Sequence, residues 1–502
     1  MRLSRSWCLG FLVLVANHAV AAEPRGRIIE DIWNVAYLQG AKAGSVHTVV
    51  REIEQAGKKI LRTTTALKMT LRRDGREFKI QMENGSDETA DGKVTGVWLL
   101  QDNGELGKVI MKGTVADGKL DMQVTGSTQY NKQNPWNDEV LGLYRQETMF
   151  RDRKVKPGDT FTFLSFEPMV SMVATNRVTV KDFEKVEVQG RPRRLLRVEI
   201  QPDKIVASNG AVQLPTLTMW LDDKLLPVRS QAPMPPLGDM VLYRSAGPVA
   251  ANAGPGAEIL EASFIPLNRS IAPSISARSA VYRITVKGNK EPAAAFAPDA
   301  RQTARNARGD AFEMAVKALP PAHPSGKAAE PGEEYVKSCY WLDSDDLRIK
   351  KLAREAVGDE PDLWKKAQRV QRWVKNNLDN SYGVAFIPAS EVAKIKRGDC
   401  RQHSMLATAM CRAEGIPARP VLGLVYGLNK QRRPIMAFHM WTEVWRDGQW
   451  YPLDATLGHV GATHIKIAAN SWHNEQSLTP LLDIWAVMGK LSIEVISVDE
   501  GE

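Results

Sequence analysis

Residues 398–420 read GDCRQHSMLATAMCRAEGIPARP, and residues 438–456 read FHMWTEVWRDGQWYPLDAT. These two stretches supply Cys400, His439 and Asp454, in this order along the chain. A thiol, an imidazole and a carboxylate are the parts of an activated cysteine nucleophile, its base and the group that orients the base. The local structure expected around each residue therefore decides whether the three can meet.

The first stretch predicts a helix that begins at its cysteine. Gly398-Asp399 combines a turn with an N-cap residue, the apolar residues that follow keep helical spacing, and Gly415 supplies a stop. Cys400 then lies in the first turn, where the positive end of the helix dipole favours a thiolate. The run Val421–Tyr426 after this helix predicts a strand.

The second stretch predicts a β-hairpin. Asp447-Gly448 is a strong signal for a two-residue turn between β-rich runs, so Arg446 should pair with Gln449. Counting outward from that pair places His439 and Asp454 on the same face as diagonal neighbours, with Cα atoms roughly 7–8 Å apart. An imidazole–carboxylate hydrogen bond can span this separation.

The two stretches together resemble the transglutaminase-like superfamily in its bacterial form. The resemblance extends upstream over Ser338–Trp341 and the two helices that follow, and it covers about the last third of the chain. It implies a papain-like α+β core in which Cys400 is the nucleophile, His439 the general base and acid, and Asp454 the residue that orients the histidine. It implies nothing about the first three hundred residues.

The chain of 502 residues is too long for one ordinary domain. Shifts in composition predict a signal peptide (1–22), a β-rich domain (23–150), a second β-rich domain (151–300), a linker (301–332) and a transglutaminase-like catalytic domain (333–502). The formal net charge is +9, without a dense basic run, so we expect no nucleic-acid partner.

The N-terminus has the pattern of a secretory signal. Arg2 and Arg5 precede the apolar run Cys8–Ala16, and the small residues Ala19–Ala22 form a cleavage site. The apolar run is far too short for a membrane anchor, and we expect no transmembrane segment in the remaining sequence. We therefore expect export, to the periplasm or the medium, after cleavage near Ala22.

Residues 28–290 alternate apolar and polar side chains between turn dipeptides such as Asn84-Gly85 and Asp117-Gly118. This pattern predicts an all-β region, either an antiparallel sandwich or an open barrel. His47 is expected to be a half-exposed strand residue. The region could recognise a partner or serve as a platform, and its sequence favours neither.

Three cysteines, Cys339, Cys400 and Cys411, remain after signal cleavage. Cys400 and Cys411 lie on one predicted helix, about 16 Å apart, and cannot bridge each other. A bridge between Cys339 and Cys411 is an alternative, but we expect free thiols.

Two amphipathic helices are predicted before the cysteine. Ser344 is a candidate N-cap of the first, and the second begins near Pro361-Asp362. The resemblance to true transglutaminases raises an oxyanion-stabilising role for Trp364 or Trp373. Core packing on an amphipathic helix is the interpretation that we favour for both.

Five histidines fall in or near the predicted catalytic domain: His403, His439, His459, His464 and His473. Their spacings match no zinc-ligand pattern, and no calcium loop is visible, so we expect neither a metal nor a cofactor, with a metal kept as an alternative. His403 lies one turn from Cys400 and could tune the thiol or simply pack. Lys394, Lys396 and Arg397 make the approach to Cys400 basic, which either favours acidic substrates or reflects a solvated face.

Three functions are compatible with these residues. The first is an exported acyltransferase that acts on protein or peptide amides through a thioacyl intermediate. The second is a cysteine peptidase or amidase that hydrolyses peptide or cell-wall amides. The third is a catalytically silent binding module, and the presence of all three residues Cys400, His439 and Asp454 argues against it. The oligomeric state is left open.

Overall fold

The structure is a computed structural model. It describes residues 26–73, 76–102, 108–126, 129–168, 171–207, 210–212, 214–234, 237–251, 254, 256–258, 264–271, 277–319, 330–381, 386–473 and 481–499. The predicted signal peptide, 1–22, lies outside the described residues.

The N-terminal part of the chain is built of strands with two short helices. These elements are β1 (Arg27–Leu38), β2 (Ala41–Gln55), β3 (Lys58–Arg73), β4 (Arg76–Thr89), β5 (Val94–Asp102), β6 (Lys108–Ala116), β7 (Lys119–Gly126), β8 (Tyr130–Pro135), α1 (Leu143–Arg153), β9 (Thr160–Glu167), β10 (Met172–Val188), β11 (Arg191–Pro202), β12 (Ile205–Ala207), β13 (Gly210–Val212), β14 (Leu217–Leu221), β15 (Pro227–Pro233), β16 (Asp239–Ser245), α2 (Gly247–Ala251) and β17 (Ala257–Glu258).

Most of these strands form one antiparallel sheet, here called the N-terminal sheet. Its order is β8-β7-β6-β5-β4-β3-β2-β1-β16-β15-β14-β11-β10-β9, with β17 added beside β3. Two meanders therefore meet where β1 pairs with β16. Strands from both sides of residue 150 share this sheet. The division into domains at 23–150 and 151–300 stays a prediction.

The two ends of the N-terminal sheet approach each other. Asn134 at the end of β8 donates to the carbonyl of Ser171, and the ring of Trp136 lies 5.8 Å from that of Phe166 on β9. The sheet thus curls as an open barrel does, one of the two forms expected from the sequence. Helix α1 packs on its inner face, where Phe150 is fully buried.

Helix α1 takes its N-terminal cap from a distant strand. Its own N-cap position is Gly142, which has no side chain to accept a hydrogen bond. Glu88 of β4, fully buried, accepts from the backbone N–H of Tyr144 (2.8 Å) and Arg145 (3.3 Å) instead. A Cβ at Gly142 would lie 2.2 Å from this carboxyl group, so glycine is required for the approach.

The C-terminal part mixes strands and helices. Its elements are β18 (Phe264–Pro266), β19 (Ser279–Val286), β20 (Gln302–Arg308), β21 (Ala311–Lys317), α3 (Leu347–Val357), α4 (Leu363–Asn377), β22 (Asp379–Asn380), α5 (Ala389–Ile395), β23 (Arg397–Gly398), α6 (Cys400–Ala413), β24 (Ala418–Leu428), β25 (Pro434–Arg446), β26 (Gln449–Leu453), β27 (His464–Ala469), α7 (Leu482–Val487) and β28 (Leu491–Asp499).

Two larger sheets, the short parallel pair β22-β23 and a layer of helices make up this region, here called the C-terminal region. One sheet has the order β18-β25-β24-β27, with β26 beside β25, and the other has the order β20-β21-β19-β28. Tyr282 of β19, Val370 of α4, Leu406 of α6 and Ile465 of β27 belong to one apolar core. An all-β part followed by an α+β part confirms the predicted fold class.

The predicted linker and helix caps differ in detail from the structure. Strands β20 and β21 occupy 302–317, inside the segment 301–332 predicted as a linker, because the alternating Phe312, Met314 and Val316 form part of the core. Residues 320–329 of that segment lie outside the described residues. Helix α3 is capped by Asp346 rather than by the predicted Ser344. Along the described parts of the chain, no helix is both long and apolar enough to cross a membrane.

Candidate active site

Cys400 is the first residue of α6. Asp399 caps the helix by accepting from the N–H of Arg401, and the side chain of Gln402 accepts in return from the N–H of Asp399 (3.1 Å), which completes a capping box. A Cβ at Gly398 would lie 2.4 Å from the Cβ of Gln402, so this close turn requires glycine. The predicted start of the helix is confirmed.

Hydrogen bonds between α6 and β25 fix the nucleophile candidate against the strand that carries His439. The hydroxyl of Ser404 donates to the carbonyl of Trp441 (2.7 Å), and that of Thr442 donates to the carbonyl of Ser404 (3.1 Å). All of these groups are buried. Bonds of this kind hold a helix and a strand in one register, so the distance between Cys400 and His439 does not depend on apolar packing alone.

The hairpin that carries His439 and Asp454 has the predicted register. Arg446 pairs with Gln449, and the ladder continues to Thr442 opposite Leu453, one residue before Asp454. Asp447 and Gly448 both have positive φ, 49° and 83°, as a two-residue type I′ turn requires.

The side chains of His439 and Asp454 are in contact. Nε2 of His439 lies 2.6 Å from Oδ2 of Asp454; His439 is 8% exposed and Asp454 is fully buried. A carboxylate can only accept, so Nε2 carries a proton, and Nδ1 is the ring nitrogen that does not contact Asp454. The charge of Cys400 and a side-chain hydrogen bond from it act on the same imidazole. The thiol, the imidazole and the carboxylate thus form one continuous chain of contacts.

This pair has strongly shifted protonation equilibria. Burial by itself would lower the pKa of His439, but the charges of Asp454 and Cys400 and the hydrogen bonds to both outweigh it and raise that pKa to about 10. Burial opposes ionisation of Asp454 as well, yet the charge and hydrogen bond of His439 hold its pKa well below the usual range. The site therefore favours an imidazolium beside an ionised carboxylate.

Every acceptor position of Asp454 is used. Oδ1 accepts from the backbone N–H of Thr456 (2.7 Å) and Leu457 (2.8 Å), and the backbone carbonyl accepts from Gln371 of α4 (3.0 Å). Oδ2 lies 3.3 Å from Nε2 of His464 in addition to its contact with His439. These contacts fix both the position and the rotation of the carboxylate.

His464 was considered from the sequence only as a possible metal ligand, and its contact with Asp454 was missed. It begins β27, where it pairs with Val425 of β24. The β-branched Ile465 and Ile467, on either side of Lys466, are the only local signal of a strand, and they do not set its register. The side of the sheet on which His464 lies can be inferred only once the pairing of β27 with β24 is known.

Donor atoms of His439, Asp454 and His464 lie within 4.8 Å of one another, close enough to surround a metal ion. Both Nε2 atoms, however, are within hydrogen-bond distance of the same oxygen, Oδ2. Each such contact needs a proton on the nitrogen, and a protonated nitrogen has no lone pair for a metal. The arrangement is thus that of a hydrogen-bonded network, and the expectation of no metal stays a prediction.

His403, Trp364 and Trp373, the other candidate side chains, make contacts that stabilise the fold. His403 is buried, with Nδ1 2.9 Å from the carbonyl oxygen of Asp399. The indole of Trp373 donates to Glu355, and the ring of Trp364 packs 5.5 Å from that of Tyr451. Both tryptophans therefore have the packing role that the sequence favoured.

The structure also shows the surroundings of two of the basic residues before Cys400 and the state of the three cysteines. Lys396 lies over the ring of Trp373, and Lys394 pairs with Glu391 at the surface. Cys339, Cys400 and Cys411 are free thiols, as expected. Burial raises the pKa of Cys411 to about 12.

A group of paired charges joins the three neighbouring strands β24, β25 and β27 to Asp299. Lys466 of β27 pairs with Glu443 of β25 (2.6 Å) and with Asp299, and Arg419 of β24 donates to Glu443. The positive charges of Lys466 and Arg419 outweigh the effect of burial and lower the pKa of Glu443 to about 2. The group ties the segment around residue 299 to the strands that carry His439 and His464.

Residues 350–455 match the family model of the transglutaminase-like superfamily, which confirms the resemblance over that segment. The match contains Cys400, His439 and Asp454 and ends nine residues before His464.

Three individual proteins are similar to parts of the chain. An uncharacterized protein of Haemophilus influenzae is 28% identical over 100 residues, which are 19% of this chain and 27% of that protein, so the chain matches about a quarter of its length. A candidate cysteine protease from Cytophaga hutchinsonii has 17% identity and a TM-score of 0.31, with 44% of this chain and 89% of that chain covered. A barrel-like protein of unknown function from Brucella abortus has 12% identity and a TM-score of 0.32, covering 43% and 94%.

Proposed function

We propose that this protein is an exported thiol enzyme that transfers acyl groups from protein or peptide amides through a thioacyl intermediate. Cys400 is the nucleophile, His439 is the general base and acid, and Asp454 orients the histidine. The observation that supports this proposal most directly is the buried 2.6 Å contact between His439 and Asp454, together with the interaction of Cys400 with the same imidazole. The match of residues 350–455 to transglutaminase-like proteins supports the same chemistry.

In the acylation step, the sulfur of Cys400 attacks the carbonyl carbon of the amide. The carbonyl π electrons move to oxygen, and the tetrahedral intermediate then expels nitrogen as the C–N bond breaks. Nδ1 of His439 gives its proton to the leaving nitrogen, which departs as ammonia from a glutamine side chain or as an amine from a peptide bond. Its high pKa keeps the imidazole protonated at neutral pH, so this proton is available.

The oxygen that becomes negative needs hydrogen-bond donors. The first N–H groups of a helix have no partner within the helix, and the N–H of Cys400 occupies this position at the start of α6. The positive end of the helix dipole lies at the same point. We propose the N–H of Cys400 as one oxyanion donor.

In the deacylation step, water or a primary amine attacks the thioacyl carbon. Nδ1 of His439 accepts the proton of the attacking group, the C–S bond breaks, and Cys400 returns to the thiolate. Water gives hydrolysis, whereas a lysine side chain gives a cross-link. The same triad serves both outcomes, so a peptidase or amidase is the second candidate function.

The nucleophile assignment is tested by alkylation with iodoacetamide near neutral pH, followed by peptide mass spectrometry. We expect Cys400 to react at least about tenfold faster than Cys339 and Cys411, because only a thiolate is a good nucleophile. His439→Ala should slow Cys400 by a similar factor and leave the other two thiols unchanged. Equal rates at the three cysteines, or no effect of His439→Ala, would favour the binding module instead.

The acceptor is tested with glutamine-containing peptides, in the presence and absence of a fluorescent primary amine. Incorporation of the amine, with little product in its absence, indicates transfer. Equal release of ammonia with and without the amine indicates an amidase, and cleavage of the peptide backbone indicates a peptidase. Cys400→Ser is the matched control, since it should abolish each of these products.

Export is tested by N-terminal sequencing of the mature protein recovered from the cell envelope and the medium. We expect the mature chain to begin just after Ala22. A protein that keeps residues 1–22 in the cytoplasmic fraction would contradict the proposal.

A further inference from the structure

The carboxylate of Asp454 is shared by two histidines. Its Oδ2 atom lies 2.6 Å from Nε2 of His439 and 3.3 Å from Nε2 of His464. His464 and Asp454 are both fully buried, so water does not compete for these contacts. His464 is also outside the segment that matches the transglutaminase-like model.

The backbone fixes the tautomer of His464. The N–H of Gly461 points at Nδ1 of the ring, at 3.4 Å, and an N–H group can only donate. Nδ1 is therefore the unprotonated nitrogen, and the single ring proton is on Nε2, facing Asp454. A neutral imidazole in this tautomer is a hydrogen-bond donor to the carboxylate at every pH at which it stays uncharged.

The surroundings of His464 keep the ring uncharged. Its neighbours with a charge or a titratable group are Asp454, His439, His459, whose ring centroid is 6.3 Å away, and Arg301. Burial lowers the pKa of His464 most, Asp454 opposes this effect, and the positive charges of His439 and Arg301 reinforce it, so the pKa falls to about 4. The two histidines that share this carboxylate therefore differ in charge: His439 favours the imidazolium and His464 the neutral ring.

A segment upstream of the family match holds His464 in place. Arg301, almost fully buried, donates through Nη2 to the carbonyl of Gly461 (2.9 Å). The side chain of Gln302 donates to the carbonyl of Lys466 and accepts from its N–H, both at 2.8 Å. These contacts hold the chain before and after His464, at Gly461 and at Lys466. The ladder from β27 to β24 is irregular one residue further on, at Ile467.

We propose that His464 is a positioning residue of the active site: a buried histidine that donates through Nε2 to Asp454 and holds this carboxylate ionised and correctly rotated for His439. This inference rests on the proposed function of the Cys400–His439–Asp454 triad. It adds a fourth side chain to that site, together with Arg301 and Gln302 as the residues that support it.

The role has a specific consequence for the pH dependence of Cys400. Loss of the donor leaves a buried carboxylate oxygen with one partner fewer, which raises the pKa of Asp454 and weakens its hold on the imidazolium. The pH below which the His439–Asp454 ion pair ceases to support alkylation of Cys400 should then move upward. A purely structural role of His464 would change the stability of the protein but not this pH.

The test measures the alkylation rate of Cys400 by iodoacetamide between pH 4 and pH 9 in the full chain. His464→Phe keeps a ring of similar size without a donor, and we expect about a tenfold lower rate at neutral pH and an acid limb shifted to higher pH. His464→Gln, which keeps an amide donor, should recover part of both. His47→Phe is the matched control, because it removes a His–Asp contact of 2.8 Å on the N-terminal sheet and should change neither.

A second measurement uses the unaltered protein and so does not depend on how the variants fold. Nitrogen-15 NMR of the histidine rings should show His464 as the neutral Nε2–H tautomer from pH 8 to pH 5. A protonated ring at pH 6, or the Nδ1–H tautomer, would overturn the proposal, as would a folded His464→Phe protein with the pH profile of the wild type. If wild-type Cys400 is itself unreactive, the proposed function fails, while the NMR result still decides the state of His464.

Discussion

At the scale of single residues, the site is organised around one buried negative charge. Asp454 accepts from two backbone N–H groups and two imidazoles, and this full set of donors allows an ionised carboxylate to exist without water. His439 and His464 touch the same oxygen but are pushed in opposite directions, one towards the imidazolium and one towards the neutral ring. The sequence of the hairpin is enough to predict the contact of Asp454 with His439. The contact with His464 cannot be predicted in this way, because it depends on the pairing of β27 with β24.

The raised pKa of His439 predicts an alkaline loss of stability. The folded-state value of about 10 lies above the ordinary value of 6.5, so the folded protein binds the proton more tightly than the unfolded chain. The resulting stabilisation is fully present below pH 6.5 and is lost as the pH rises to about 10. We expect a difference on the order of a few kcal/mol between wild type and His439→Gln to disappear over this range.

The measurement is the free energy of unfolding in urea at pH 6, 8 and 9.5 for both proteins. His47→Gln provides a control, since its ring contacts a carboxylate that is half exposed. If wild type and His439→Gln lost stability in parallel, His439 would titrate at an ordinary pKa and the ion pair would not exist.

Among the secondary-structure elements, α1 depends most clearly on a distant residue. Glu88 caps it from β4, and the hydroxyl of Ser86 accepts from the N–H of Leu143 (2.8 Å) and donates to Glu88. Glu88→Ala should lower the free energy of unfolding by about 2–3 kcal/mol, because two N–H groups in the first turn of α1 lose their buried acceptor. Glu88→Gln, which keeps an oxygen, should cost less.

Chemical denaturation of the Glu88 variants measures this loss of unfolding free energy. Glu139→Ala, an exposed glutamate close to the same helix, is the control and should change the free energy of unfolding by less than about 0.5 kcal/mol. A Glu88→Ala protein as stable as this control would show that α1 is held by its packing on the N-terminal sheet alone.

Elements with strong local signals could be predicted from the sequence, and the others could not. Gly398-Asp399 and Asp447-Gly448 specify the start of α6 and the register of the hairpin through short-range geometry. Asn84-Gly85 has an equally strong turn signal, yet it lies within β4. A Cβ at Gly85 would lie 1.9 Å from the ring of Trp98, so this glycine makes room for a neighbouring strand's side chain.

The same reasoning explains why the support of the site was missed. Glu443, Lys466 and Asp299 come from three separate parts of the chain, and only the pairing of β27 with β24 and β24 with β25 brings them together. A buried lysine has no local signature, because its sequence neighbours are those of an ordinary strand. Contacts that depend on non-local pairing are not encoded in any window of sequence.

For the whole molecule, the apolar core and the sheet that carry the candidate site extend beyond the predicted segment 333–502. Strand β18 extends the sheet of His439 by pairing Phe264–Pro266 with Ile435–Ala437, and β19–β21 share the apolar core with the helices. A chain that begins at residue 333 lacks these strands and Asp299, Arg301 and Gln302. We expect such a chain not to fold, since it exposes a large apolar face and removes Asp299, one of the two partners of the buried Lys466.

A chain that begins at residue 259 retains all of these elements and is the matched comparison. We expect a cooperative thermal transition by circular dichroism for residues 259–502 and none for residues 333–502. A cooperative transition for the shorter chain would show that the papain-like helices and sheet are an independent unit.

Strand β28 also affects how the protein is made. Its residues Leu491–Asp499 pair with β19, Ser279–Val286, which leaves the ribosome much earlier. At a synthesis rate of roughly 5–20 residues per second, the interval is on the order of ten to forty seconds. During this time β19 has an open edge beside apolar side chains that are buried in the finished protein, so the nascent chain should depend on chaperones until β28 emerges.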